Sequence, residues 1–201
     1  MSHRDKLLVA ARTLILEQGF TATTARDLVA ASNTNLRSIG YHFGSVEALL
    51  SRAMEELFDE WTEVVVSAAF MEEDVPARER AAASWKATIA TLDEHQALIR
   101  VFVEALAYAE RSPEFRAHMH EHYLRSQRRV AHAVEAALGP EAVAAGADPM
   151  TIALFLIAVF DGLAVQFRMA PDATPSGEQL VSALRAAVAA AMAPMLTAGG
   201  D

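Results

Sequence analysis

Residues Thr23–Leu50, TTARDLVAASNTNLRSIGYHFGSVEALL, place three helix starts in quick succession. Thr24 caps a helix predicted over Ala25 to Ala31, with Asp27 three residues on to complete a capping box. Ser32, Asn33 and Thr34 are turn formers, and Asn35 caps a second short helix carrying Leu36, Arg37, Ser38 and Tyr41. Gly44 closes that helix. Ser45 caps a third, with Glu47 in its first turn, where a carboxylate suits the helix dipole. Two short capped helices joined by a tight turn form a unit that fits the major groove of DNA.

Outward from this unit, Arg4 to Gly19 reads as an amphipathic helix with Leu7, Leu8, Ala10, Ala11, Leu14 and Ile15 at helical spacing. Gly19-Phe20 stops it. With Thr23-Thr24, the run Tyr41-His42-Phe43, Gly44-Ser45 and Glu47-Ala48-Leu49-Leu50, this block resembles the DNA-binding domain of the tetracycline-repressor (TetR) family of bacterial regulators. The resemblance covers the first quarter of the chain strongly and continues as an all-helical pattern to the C-terminus. It implies an all-α fold of nine helices, divided as 1–50 for a three-helix DNA-binding domain and 51–201 for ligand binding and dimerisation. It also implies a homodimeric regulator of transcription on a pseudo-palindromic double-stranded operator, a repressor released by a small-molecule effector. Two positions depart from the family pattern: Gly40 stands where Tyr is usual and Val46 where Lys is usual. Both commonly touch the DNA backbone, so their loss is expected to weaken sequence-independent affinity. The alternative reading is a helical small-molecule sensor whose DNA binding is weakened.

The net charge of −9 divides unevenly. Residues 1–50 hold Arg4, Lys6, Arg12, Arg26 and Arg37 against Asp5, Glu17, Asp27 and Glu47, a balance of +1 that leaves −10 for the rest. The acidic part would face away from DNA. With no Cys in the chain, disulfides, thiolate metal sites and cysteine nucleophiles are excluded. The first residues form a charged helix rather than a signal peptide. The run Met150 to Val165 is interrupted by Asp161 and short for a membrane span. The expectation is a cytoplasmic protein without membrane attachment, cofactor or bound metal.

Further helices are predicted over Val46–Phe70, Ala77–Asp93, Gln96–Arg111, Glu114–Leu138, Met150–Met169 and Glu178–Leu196, with breaks at Glu72–Pro76, Glu94-His95, Ser112-Pro113, Gly139–Pro149 and Pro171–Gly177. The helix from Val46 would run from one domain into the other as their mechanical link. The segment Ala153–Gln166 is apolar nearly all round, and the last helix is rich in Ala. They resemble the helix pair that builds the family's four-helix dimer interface, which makes Phe155, Val159, Leu163, Gln166, Leu180, Leu184, Val188 and Ala191 candidate interface residues. Ordinary core within one subunit is the alternative.

Arg26 and Arg37 are the foremost candidate DNA readers. Arg37 lies in the first turn of the second short helix, the end that meets base edges, and its guanidinium fork can pair with guanine. The alternative for each is a solvated surface arginine. Asn35, Leu36, Ser38, Gly40 and Tyr41 would shape the groove contact, and Thr24, Ser38, Tyr41 and His42 could bond phosphates. Ile39 and Phe43 read as core. Phe58, Trp61, Trp85, Phe102, Met119, His122, Tyr123 and Phe155, with Tyr108 and Phe160 beside them, are candidates to line a cavity between helices; core packing is the alternative for each. His118 and His122 stand one helical turn apart, but no third ligand is evident, so a rim position is favoured over a metal site. Nothing resembles a phosphate loop, a nucleophile elbow or a paired-His metal motif, and no enzymatic activity is expected.

Overall fold

The computed structural model describes residues 1–70 and 77–197. Within them the chain forms nine α-helices, one 3-10 turn and no strand: α1 His3–Gln18, α2 Ala25–Ser32, α3 Leu36–Phe43, α4 Val46–Ala69, α5 Ala77–Glu94, α6 Gln96–Ala109, α7 Pro113–Ala144, α8 Pro149–Met169 and α9 Gly177–Thr197. The expected break at Glu72–Pro76 lies outside the described residues.

The sequence's local signals account for the helix ends. Thr24 accepts from the Asp27 amide while the Asp27 carboxylate accepts from the Thr24 amide, so the capping box is complete. Asn35 Oδ1 accepts from the Ser38 amide at 3.0 Å, and Ser45 Oγ from the Ala48 amide at 3.0 Å. Asn33 takes the left-handed conformation that ends α2, one of the few side chains to tolerate it. Ser2 and Asp5 form a further box at the start of α1. Gly139 breaks α7 with φ 77°, ψ 167°, as its place before Pro140 requires, and one more helical turn then runs to Ala144.

α1, α2 and α3 form a head around Leu7, Ala11, Ile15, Leu28, Ile39 and Leu49, all essentially inaccessible to solvent. α4 begins in that core and continues into the body, where it packs against α5 and α7. The division at residue 50 therefore falls inside one helix, and one apolar cluster runs without interruption from Leu7 to Phe167. A smaller cluster of Val130, Ala131, Val134 and Ala153 joins α7 to α8. Between α4 and α7 runs a polar ladder. Glu55 faces His118 at 3.2 Å, Asp59 faces His122 at 3.2 Å, and Arg125 reaches both carboxylates.

α8 is long and apolar enough to cross a membrane by composition, the one such helix among the described residues. Here it lies along α7 and α6 and presents Asp161 inward. Leu163, expected at a dimer seam, is 6% exposed and belongs to the chain's own core. Val159 and Leu180 pack partly against the same core. A helix apolar on every face carries no phase to separate inner from outer positions, which is why the sequence misplaced Leu163. Phe155, Gln166 and Leu184 are exposed. The side chains of Val188 and Ala191 lie outside the described residues.

Candidate functional site

The first candidate site is the outer face of the head. Capping and packing fix α3: Ile39 and the half-buried Phe43 hold its inner side, and Arg4 stacks over the Phe43 ring at 5.6 Å. Its outer side carries Leu36, Arg37, Gly40 and Tyr41, all exposed, with the Tyr41 ring 83% accessible. An exposed leucine and tyrosine on an eight-residue helix leave apolar surface uncovered beside an arginine, a combination that suits base edges and thymine methyls. Arg26 is exposed on α2. His42 is half-buried, edge-on to Tyr41.

Three expected contacts need revision. Ser38 is only 9% exposed, and its hydroxyl lies 3.3 Å from both Asn35 Oδ1 and His3 Nδ1, so it fastens α3 to the start of α1 and presents no surface to DNA. Asn35 is exposed, yet its carbonyl oxygen is committed to the cap. The Thr24 hydroxyl donates to Asp27 Oδ2 at 2.6 Å and would have to leave it to reach a phosphate. Gly40 has open space around the position of an added Cβ, whereas Val46 is half-buried against the core.

The second candidate site is a half-open cavity of about 820 Å³ in the body, walled by α4, α5, α6, α7 and α8. Phe58, Trp61, Trp85, Phe102, Met119, His122 and Tyr123 line it, as does Phe160. Phe155 does not: it is 51% exposed on α8. Tyr108 is also absent from the wall and packs edge-on to Phe20 and Phe115, at the junction of head and body. Within the wall, Trp61 sits 5.4 Å from Phe160 and 6.3 Å from Phe102, and Phe58 meets Phe102 edge-on and His122 at a tilt.

The cavity's polar groups were mostly missed by the sequence reading. Asp161 on α8 accepts from the Tyr123 hydroxyl at 2.9 Å. Burial pushes the Asp161 carboxyl up to about 6 and pushes the Tyr123 hydroxyl up as well. His122 is lowered by burial, against the pull of Asp59, so its imidazole is neutral at pH 7. Ser126 lies within 3.4 Å of His122 Nε2 and 3.1 Å of the Thr62 hydroxyl, extending the network along the wall. Trp61 Nε1 and Thr88 Oγ1 are buried wall atoms without a partner among the described residues. Such donors in a chain this well packed point to an acceptor from water or from a ligand. Asp161 had left one trace in the sequence, as the single charge inside an apolar run.

Two helices join the cavity to the head. α4 contributes Phe58 and Trp61 to the wall, while its first turns pack under α1 and α3. α6 contributes Phe102, and two residues to either side it grips the end of α1. Glu104 Oε2 accepts from the Phe20 amide at 2.9 Å, and Arg100 donates to the Leu16 carbonyl at 2.7 Å. Gly19 allows this grip: its φ of +98° is open to glycine, and a Cβ there would meet the Glu104 carboxylate at 2.7 Å. Arg12 adds a clamp from α1 to Glu60 at 2.8 Å.

Comparison with known proteins matches both parts. Residues 7–53 match the family model described as bacterial regulatory proteins, tetR family, and residues 77–193 match the model of the BetI-type transcriptional repressor C-terminal domain. Among solved structures, SCO7518 from Streptomyces coelicolor A3(2) superposes with a TM-score of 0.69 at 23% identity, covering 90% of this chain and 95% of its own. GusR from Salmonella enterica gives a TM-score of 0.61 at 24% identity, with 94% of each chain covered. A protein from Saccharomonospora viridis, solved in complex with choline, gives 0.61 at 21% identity, with 90% of this chain and 93% of that one covered. No curated protein sequence matches the chain. A capped helix-turn-helix head, a helical body and family models over both assign the chain to the TetR family of transcriptional regulators, with its DNA-binding domain at the N-terminus.

Proposed function

We propose that the protein is a homodimeric, cytoplasmic repressor that reads a pseudo-palindromic DNA site through α3 and is released by a small molecule held in the body cavity. The two parts divide near residue 50, with α4 common to both. The observation that carries this reading is that α4 and α6 each furnish cavity wall and head contact within the same helix. A ligand that displaces Phe58, Trp61 or Phe102 moves the supports of α1 and α3 together. In a two-fold dimer that alters the spacing of the two recognition helices, which must fit successive major grooves on one face of the duplex. The ligand achieves release only by binding the non-DNA conformation more tightly.

Arg37 is the proposed base reader and Arg26 a contact to base or backbone; Tyr41 and His42 are proposed phosphate contacts. Exposed Leu154, Phe155 and Leu184 are the apolar surface proposed to meet the partner subunit. Phe155→Glu and Leu184→Glu test it, since both side chains are free of the core. Sedimentation should show monomer with helicity retained, and a wild-type monomer at micromolar concentration would refute the dimer. The function itself is tested by selecting genomic fragments on the purified protein and repeating the binding with Arg37→Ala. Selective capture of a two-fold site, with altered preference in the variant, is expected; capture of none would favour the reading as a sensor with weakened DNA binding, which the loss of Tyr and Lys at Gly40 and Val46 supports.

A further inference from the structure

Among the described residues that wall the cavity, Asp161 is the one carboxylate, and no Lys or Arg joins it. His122, the other ionisable base or acid in the wall apart from Tyr123, is neutral there. Among the described residues the Asp161 carboxylate has one hydrogen-bond partner, the Tyr123 hydroxyl, which is neutral. A carboxylate removed from water without a counter-charge is costly, and proteins ordinarily pair it or leave it at the surface. It shares the wall with Phe160 and Trp61, whose rings meet at 5.4 Å. Aromatic faces attract cations and offer nothing to an anion. Every described wall group of formal charge or strong quadrupole therefore favours the same sign of ligand. The volume adds a second constraint. At about 820 Å³ the cavity is within the range of sites for drug-sized molecules. A small ammonium headgroup would leave most of the wall, including Val65, Val66, Val130 and Ala133, without contact.

We propose that the cavity takes a bulky lipophilic organic cation, with its positive charge seated at Asp161 against Trp61 and Phe160 and its apolar body along α4 and α7. The proposal rests on the cavity being the effector site and names the chemistry of the effector. Trp61 Nε1, without a partner among the described residues, would donate to a neutral oxygen on such a ligand.

Tetraphenylphosphonium and tetraphenylborate are nearly identical in shape and opposite in charge, so their comparison isolates the sign. Quenching of Trp61 and Trp85 and isothermal calorimetry on the full chain should show the cation binding at least about tenfold tighter than the anion, a modest preference for a buried charge pair. Tetrabutylammonium serves as a second cation of different shape. Asp161→Asn should bring cation and anion within about threefold of each other, and Asp161→Glu should keep the preference. The Asn variant should also melt higher than wild type without ligand, because it removes an uncompensated charge; a variant that melts lower or fails to fold contradicts the proposal. So does an anion bound as tightly as the cation, a preference that survives Asp161→Asn, or no binding of either cation below millimolar concentration. Operator affinity is then measured with the cation present. Asp161-dependent cation binding that leaves DNA affinity unchanged would sustain the ligand class and refute release by this site.

Discussion

The head and the body of this molecule handle buried space in opposite ways. In the head, Leu7, Ile15, Leu28, Ile39 and Leu49 close the interior, and side chains cap the starts of α1, α2, α3 and α4. Eight-residue helices such as α2 and α3 are unstable alone, so caps and core contacts must supply what length does not. The body has longer helices and leaves a large cavity, an uncompensated carboxylate at Asp161 and orphaned donors on Trp61 and Thr88. The difference teaches where rigidity and adaptability are placed. The part proposed to read DNA is fixed, and the part proposed to meet a ligand retains unsatisfied groups.

The largest effect that could break this contrast is on stability. Ile39→Ala or Leu28→Ala should cost ~2–5 kcal/mol in urea denaturation, since each leaves a void in a closed core. Val65→Ala on the cavity wall should cost well under half of that, because its surroundings already contain free space. Equal losses at the two places would mean that the cavity collapses in solution.

Asp161→Asn comes next, and pH gives it a signature. Wild-type Asp161 holds its proton up to about pH 6, whereas the unfolded chain releases it near 3.8. Stability is therefore lost as pH rises between these values, and the loss is complete above the higher one. It amounts to about 3 kcal/mol as an order of magnitude. The Asn variant lacks that loss, so its advantage in thermal or urea unfolding should be full at pH 7.5 and vanish below about pH 4. An advantage independent of pH would locate the effect elsewhere.

Smaller effects test the head's surface. Arg37→Ala should cost ~1–3 kcal/mol of operator binding, at one position per half-site, with unfolding unchanged. Thr24→Ala should lower stability by ~1 kcal/mol through loss of the cap. Gly40→Ala, on an open helical face, should raise it by ~0.5–1 kcal/mol. Gly40→Tyr should tighten binding to all DNA sequences and steepen its salt dependence. Val46→Lys is a poorer version of that test, because Val46 packs partly against the core.

Much of the fold was legible because its signals are local. Thr24, Asn35, Gly44 and Ser45 announce helix ends through their own hydrogen bonds and backbone preferences, and the structure keeps each of them. Large aromatic residues also picked out most of the cavity wall, although their spacing left core packing as the alternative for each. What escaped was whatever depends on three-dimensional phase. Leu163 and Phe155 lie two turns apart on a helix apolar all round, and nothing in the sequence told which would face inward. Ser38 stands among exposed neighbours yet turns toward His3. Nothing in the sequence set Glu104 or Arg100 apart. Only their distance to Phe20 and Leu16 shows that they hold the head to the body.

That junction bears on the central claim, that the state of the cavity sets the spacing of the recognition helices. The most direct measurement is operator affinity by fluorescence anisotropy, with and without a saturating cavity ligand, in wild type and in Glu104→Gln. Ligand should lower wild-type affinity ~5–150-fold, and operator DNA should weaken ligand binding by the same factor. Glu104→Gln, which weakens the hold of α6 on Phe20, should reduce that factor while ligand affinity in the absence of DNA stays as in wild type. A ligand that fills the cavity and leaves operator affinity unchanged would contradict the claim.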